Sequence, residues 1–249
     1  MRFMRWLHKW LGLIVGVQLL LWTVSGLVFA WLDHADVSAE HSTRHDSAGA
    51  PGQLPSVVEP QVWLADYAST EPRDIRLIPV LERWVYRVEL ADRIELRDAT
   101  DGRPVAIDAA LIRQLAQAHY SGGGTLQNVV HERETLEARN AGPVWHAQFD
   151  DDERTSLYFS ATDAHLVATR NGTWRVFDVF WMLHTMDYRG RDDFNHPLVI
   201  LFSTGALWLG ISGVVLLFRS FRPGELNLVA RARAMGAPVS AEERGRCRK

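Results

Sequence analysis

WLGLIVGVQLLLWTVSGLVFAW, Trp10 to Trp31, holds no Asp, Glu, Lys or Arg in 22 consecutive residues. A helix rises ~1.5 Å per residue, so this stretch reaches ~33 Å and matches a hydrocarbon core of ~30 Å. A second stretch of 22 residues, PLVILFSTGALWLGISGVVLLF from Pro197 to Phe218, repeats the property. Buried helices of soluble proteins seldom stay uncharged for so long, and each stretch has basic residues at one end only. Val28-Phe29-Ala30 loosely fits a signal cleavage site, but signal h-regions run ~7–15 residues, so an uncleaved anchor fits better. The sequence therefore predicts transmembrane helices over residues 10–32 and 196–219.

Charge sets the expected orientation. Arg2, Arg5 and Lys9 precede the first span without an acid, and residues 219–249 carry eight Lys or Arg against three Glu. Between Asp33 and His196 the balance reverses, to sixteen basic and twenty-seven acidic residues. The positive-inside rule predicts a cytoplasmic N-terminus (1–9), a cytoplasmic tail (220–249) and a central domain outside, which in a bacterium is the periplasm beyond the inner membrane. An acidic domain argues against a nucleic-acid partner. The single cysteine, Cys247, lies in the tail, so neither a disulfide scaffold nor a thiolate metal cluster fits within one chain. The tail is rich in Arg, Ala and Gly, lacks an apolar period and reads as frayed.

Residues 33–55, with His34, His41, His45, Pro51, Gly52 and Pro55, read as a polar linker. Beyond it, IELRDATDGRPVAI (Ile94–Ile107) repeats as SLYFSATDAHLVAT (Ser156–Thr169) around a shared Ala-Thr-Asp. Each copy follows a strand-like segment, Trp84–Leu90 or Val144–Phe149, giving hairpins with turns at Asp101 and Asp163. Helices are expected over Val57–Ala68, Ala109–His119 and Leu126–Glu137. The fold class is thus an α+β membrane protein. Two transmembrane helices flank a domain (56–172) of two helix-plus-β-hairpin units, about 56–107 and 126–170. Ser121-Gly122-Gly123-Gly124 lacks the Lys-Ser or Lys-Thr of a phosphate loop and reads as a hinge. Asp150, Asp151, Asp152 and Glu153 read as a solvated hairpin tip. No hydrolytic constellation is present.

The stretch TWRVFDVFWMLHTMDYRGRDDFNHP, Thr173–Pro197, carries the chemistry. Phe177, Trp181, His184 and Tyr188 recur at three- and four-residue steps, which predicts one face of an interfacial helix within residues 173–195. Four histidines stand at membrane boundaries: His8 on the cytoplasmic side, and His34, His184 and His196 on the outer side. Gly12 and Gly16 follow His8 at i+4 and i+8, a flat surface that suits either a porphyrin or a packed helix. His196, Ser203 and Gly210 share a face at seven-residue spacing. Neutral imidazole is a common axial ligand of haem iron, and two from different helices suit electron transfer. Water or headgroup bonding, a non-haem metal and a proton path also fit these residues. No Gly-x-Gly-x-x-Gly follows a strand, so an NAD or flavin step belongs to another protein.

Three blocks give a resemblance: RWLHKWLGLIVGVQLLLWTVSGLVFAW (Arg5–Trp31), the paired hairpins with their Ala-Thr-Asp turns, and WMLHTMDYRGRDDFNHPLVILFSTGALWLGISGVVLLF (Trp181–Phe218). Together they make the chain similar to the bacterial PepSY-associated transmembrane proteins. The resemblance implies PepSY-like units in the central domain. Its larger relatives imply an inner-membrane protein that binds haem b and passes electrons to periplasmic ferric siderophores or flavin-bearing partners. By motif, the LHKWLG block nominates His8, and the MLHTMDY and NHP blocks nominate His184 and His196; His34 follows by position only. This chain has only two spans, so haem would need a homodimer or a second membrane subunit. The expected function is a haem-b electron-transfer component with a periplasmic redox partner, at most a subunit of an enzyme. The alternative is a non-catalytic anchored module that binds a peptidase, a peptide or a partner subunit. A weaker third reading is a metal-uptake accessory using His34, His41 and His45.

Overall fold

The computed structural model describes residues 2–43, 56–67, 70–139 and 141–220. The expected tail, Cys247, the linker from residue 44 onward with His45, and Ala68 at the end of the first expected helix lie outside them.

Helix α1 runs unbroken over Arg2–Trp31, and α6 over Pro197–Ser220. Only 17 % of the apolar window of α1 and 11 % of that of α6 is buried, so neither is the core helix of a soluble domain. Their backbone groups bond within each helix, while Leu13, Ile14, Val17, Leu207, Ile211 and Val214 are exposed on the outside, as lipid solvation requires. By length and composition both can cross a membrane. The contacts divide the chain into two units: residues up to Leu20 with those from Ile200, and Leu21–Val199.

In the first unit α1 and α6 approach closely where α6 lacks a side chain. A Cβ on Gly205 would stand 3.2 Å from Val15 Cγ2 and 3.6 Å from Leu11 Cδ2. Val15, Leu209 and Ser212 are buried in this contact.

The second unit begins with the end of α1. The presumed linker is structured as far as it is described: α2 (His34–Val37), capped by Asp33, leads into a 3₁₀ turn at Glu40–Ser42. Thr43 pairs with Tyr120 as an isolated β-bridge, and Ala39 is only 1 % exposed. The polar composition hid this because short helices with Asx caps use the same residues as loops. Of the helix expected at Val57–Ala68, only α3 (Gln61–Leu64) and a 3₁₀ turn (Ala65–Tyr67) form.

Two four-stranded antiparallel sheets follow, and the two expected hairpins form the central strand pair of each. The first orders β1 (Asp74–Val80), β2 (Arg83–Glu89), β3 (Ile94–Asp98) and β4 (Pro104–Val105) side by side. Helix α4 (Ala109–His119) is where the pattern put it, with Asp108 accepting from the Ala110 and Leu111 N–H groups. The second sheet orders β5 (Leu126–Glu132), β6 (Val144–Phe149), β7 (Ser156–Ser160) and β8 (Leu166–Arg170).

The helix expected over Leu126–Glu137 is therefore strand β5 and a 3₁₀ turn at Leu136–Ala138. An irregularity between Leu126 and Asn128 explains the error. It breaks the strict alternation, so Leu126 and Val129, three residues apart, both pack on the same core and imitate helical spacing.

That core brings both sheets around α4: Val85 and Leu96 from one, Leu157 and Phe159 from the other, with Ile112 and Leu115 between. Tyr86 and Val88 point the opposite way, onto Trp63 and Tyr67. The two Ala-Thr-Asp turns diverge in use. Asp101 stays half exposed beside Arg103, whereas Asp163 is buried and paired with His165 and Arg87. The glycine loop is no free hinge, because the Gly124 N–H donates to Tyr120 Oη, which itself donates to Asp151. The acidic tip is likewise committed: Asp150 accepts from Thr125, and Asp151 from Thr155.

Candidate functional site

Helix α5 (Gly172–Thr185) begins with the Asn171 side chain accepting from the Trp174 N–H. Its face carries Phe177, Trp181 and His184, and all three meet Phe29 of α1 at ring-centroid distances of 5.0, 6.2 and 5.5 Å. Tyr188 does not join them. Met186 takes a left-handed conformation (φ 57°), which ends the helix and leaves Tyr188 exposed in the following loop.

His184 is fixed at two points, one on its ring and one on its backbone. Its Nδ1 lies 2.7 Å from Ser25 Oγ, and its backbone carbonyl accepts from Trp22 Nε1 at 2.7 Å. Trp22, Ser25 and Phe29 stand at i, i+3 and i+7, a single stripe of α1. Ser25 is fully buried, and its hydroxyl also reaches the Trp22 carbonyl at 3.1 Å. Burial lowers the pKa of His184, favouring the neutral ring that binds metals.

In the other unit His8 has the same surroundings. Its Nδ1 lies 2.8 Å from Ser212 Oγ, which is 5 % exposed as a residue and reaches the Leu209 carbonyl at 3.1 Å. A Cβ on Gly213 would stand 3.5 Å from His8 Cε1, and Trp208 lies alongside at 6.5 Å. An apolar groove of about 450 Å³ between α1 and α6 is lined by Leu7, Leu11, Phe202, Gly205 and Trp208. The glycines expected to flank His8 divide: Gly12 faces Leu209, while Gly16 faces open space.

The remaining candidates sit differently. His196 precedes α6, where its Nδ1 is 3.4 Å from the Leu198 N–H and its carbonyl accepts from Val199, a helix-start role. Ser203 and Gly210 are exposed, so the helix face they share is not the one that meets α1. His34 is exposed at the start of α2. Among the described residues no three His, Cys, Asp or Glu side chains converge as a polydentate metal cluster would.

The sequence reading missed the supports of this region. Asp178 of α5 is buried and accepts from Arg139 at 2.8 Å and Arg191 at 2.5 Å. Glu137 takes Arg175 through both carboxylate oxygens, at 2.9 and 3.1 Å. Burial alone would raise the Asp187 pKa, but backbone N–H groups of Asp193, Arg189, Gly190 and Asp192 outweigh it and hold the pKa down at about 2. The carboxylate thus organises the loop that leads to α6. An acid inside the apolar run VFDVFWML was the available signal for Asp178.

The family model of the PepSY-associated TM region matches residues 5–234. This chain belongs to that family. The match spans both apolar helices and everything between them, and it agrees with the membrane character of α1 and α6. No curated protein and no solved structure matches the chain. For a PepSY-associated TM chain, the buried serines of its two apolar helices and the imidazoles they meet define the candidate site: Ser212 with His8, and Ser25 with His184.

Proposed function

We propose that this protein is a haem-b-binding electron-transfer component of a bacterial inner membrane. Both termini would face the cytoplasm and the central domain the periplasm. The observation that carries this reading is the pair of imidazoles, His8 and His184, each held through Nδ1 by a buried serine on a facing helix, which leaves Nε2 for a ligand. Metal-bound histidines characteristically have the other ring nitrogen engaged in this way.

His8 and His184 would hold haem iron through their free ring nitrogens, with His196 and His34 as further candidates. Bound haem would supply a one-electron carrier in a low-dielectric setting. The chain's own part is to orient the imidazoles, exclude water with Trp208, Phe29 and Trp181, and dock an acceptor through the acidic domain. That acceptor would be a ferric siderophore or a flavin-bearing partner. Two spans enclose a porphyrin incompletely, so the working unit would be a homodimer or include a second membrane subunit.

A second reading, an anchored PepSY module that binds a peptide or protein, draws on one observation. A half-enclosed cavity of about 210 Å³ lies between the sheets, lined by Val80, Leu115 and Leu166, with His165 at its wall. The visible spectrum of detergent-purified protein expressed with ample haem, before and after dithionite, separates the two. A reduced b-type α-band that is lost in His8→Ala and His184→Ala supports electron transfer. A colourless protein, also colourless when co-purified with its native neighbours, supports the module.

A further inference from the structure

We infer that Ser25 and Ser212 are positioning residues that hold His184 and His8 as Nδ1–H tautomers and so make Nε2 the ligating nitrogen. The inference rests on the haem-binding reading above.

A serine hydroxyl has one hydrogen. The Ser25 hydroxyl has the Trp22 carbonyl within donating reach three residues back, at 3.1 Å, and the Ser212 hydroxyl has the Leu209 carbonyl at the same distance. With its hydrogen so used, each oxygen turns a lone pair toward the facing imidazole, at 2.7 Å for His184 and 2.8 Å for His8. With the hydroxyl hydrogen on the carbonyl, Nδ1 must carry the proton that completes the contact. Both serines are buried, so water offers no substitute partner, and the other tautomer is met only if the hydroxyl leaves its carbonyl and turns its hydrogen to Nδ1.

The two sites arise independently. Helix α1 supplies the serine to α5 in one and the histidine to α6 in the other, yet the bonding order from carbonyl to hydroxyl to Nδ1 is the same. Histidine in water favours the Nε2–H tautomer, so the protein reverses the intrinsic preference. At His184 the Trp22 bond to the backbone carbonyl prevents the ring from sliding off the serine. At His8 the backbone of Gly213 lies beside the ring edge, close enough that a Cβ there would touch Cε1 at 3.5 Å.

The test uses full-length, haem-free protein in lipid nanodiscs with ¹⁵N-labelled histidine, read by long-range ¹H–¹⁵N correlation. His8→Gln and His184→Gln assign the two rings. The expected result is a protonated Nδ1 and an unprotonated Nε2 at both. Ser25→Ala should change the tautomer of His184 alone and Ser212→Ala that of His8 alone, while Ser25→Thr and Ser212→Thr retain it. Haem titrated into the same samples should bind about tenfold more weakly, or worse, in each alanine variant, with recovery in the threonine variants. An Nε2–H ring in the wild type, or spectra indifferent to serine removal, would overturn the inference even if haem binds. The Nδ1–H pattern in a protein that binds no haem would instead overturn the functional reading and, with it, the ligand role of Nε2.

Discussion

Arg87 of β2 donates to the carboxylate of Asp163, 3.1 Å away in the turn between β7 and β8, so one ion pair joins the two sheets. His165 approaches the same carboxylate at 2.5 Å. Burial alone would raise the Asp163 pKa, but the hydrogen bonds of His165, Ser160 and Arg87 outweigh it and hold it well below the usual carboxylate range. The Asp163 hydrogen bond in turn raises the pKa of His165. A depressed carboxylate adds stability that is present above its unfolded pKa of ~3.9 and is lost as pH falls through the folded value. A raised histidine adds stability that is present below ~6.5 and is lost as pH rises through the folded value. The pair should therefore stabilise the domain most between about pH 4 and 6.5. Urea midpoints of the full-length protein in detergent, measured against pH, should show both flanks. His165→Gln should abolish the alkaline flank, and Asp163→Asn should weaken both. A wild-type profile identical to that of Asp163→Asn would refute this assignment.

Asp178 is the shared acceptor of Arg139 and Arg191, and it lies off the face of α5 on which His184 meets Phe29. Removing it leaves two half-buried guanidinium groups without their carboxylate. Asp178→Ala is expected to cost roughly 3–5 kcal/mol, the range for breaking a buried ion pair. Thermal unfolding in detergent would read it, with Asp178→Glu as a milder companion. An Ala variant as stable as the wild type would show that the clamp contributes nothing.

Gly205 sets the approach of α1 and α6, because its missing Cβ is what keeps Val15 at van der Waals distance. Gly205→Ala demands a shift of a few tenths of an ångström and should cost under about 1 kcal/mol, whereas Gly205→Leu overpacks the contact by about 1–3 kcal/mol. The Leu variant should also release His8 from Ser212, which the histidine ¹⁵N spectrum would register as a changed tautomer. Unchanged His8 signals in Gly205→Leu would mean that the helices do not meet there.

The charge asymmetry predicts orientation. With Cys247 replaced by Ser, a single cysteine placed at Asp101 should react with a membrane-impermeant maleimide in intact spheroplasts, and one placed at Arg231 only after lysis. Reversed labelling would invert the topology and move the His184 site to the cytoplasmic face.

Much of the architecture was legible because its signals are local. The 22-residue uncharged stretches specify helices wherever they lie, since a backbone in lipid must satisfy its own hydrogen bonds. Helix α4 was legible from its apolar period and the hairpins from their alternation, while the Ala-Thr-Asp repeat marked the last turn of each sheet. Strand β5 was misread because its irregularity gives Leu126 and Val129 a helical spacing.

His8 and His184 were visible as ionisable residues at the ends of apolar segments. That the first would meet Ser212, 204 residues away, and the second Ser25, 159 residues away, was not. Serine is common on apolar helices and carries no mark of its partner; only packing decides which hydroxyl is buried against which ring. The same holds for Asp163, buried and paired with Arg87, and its repeat equivalent Asp101, half exposed beside Arg103. The sequence by itself determined the two apolar helices, the hairpins between them and the candidate imidazoles, because these follow from composition and period along the chain. The tertiary structure alone decided which nitrogen of each imidazole is engaged and which carboxylates are buried, because those depend on contacts between residues that the sequence keeps far apart.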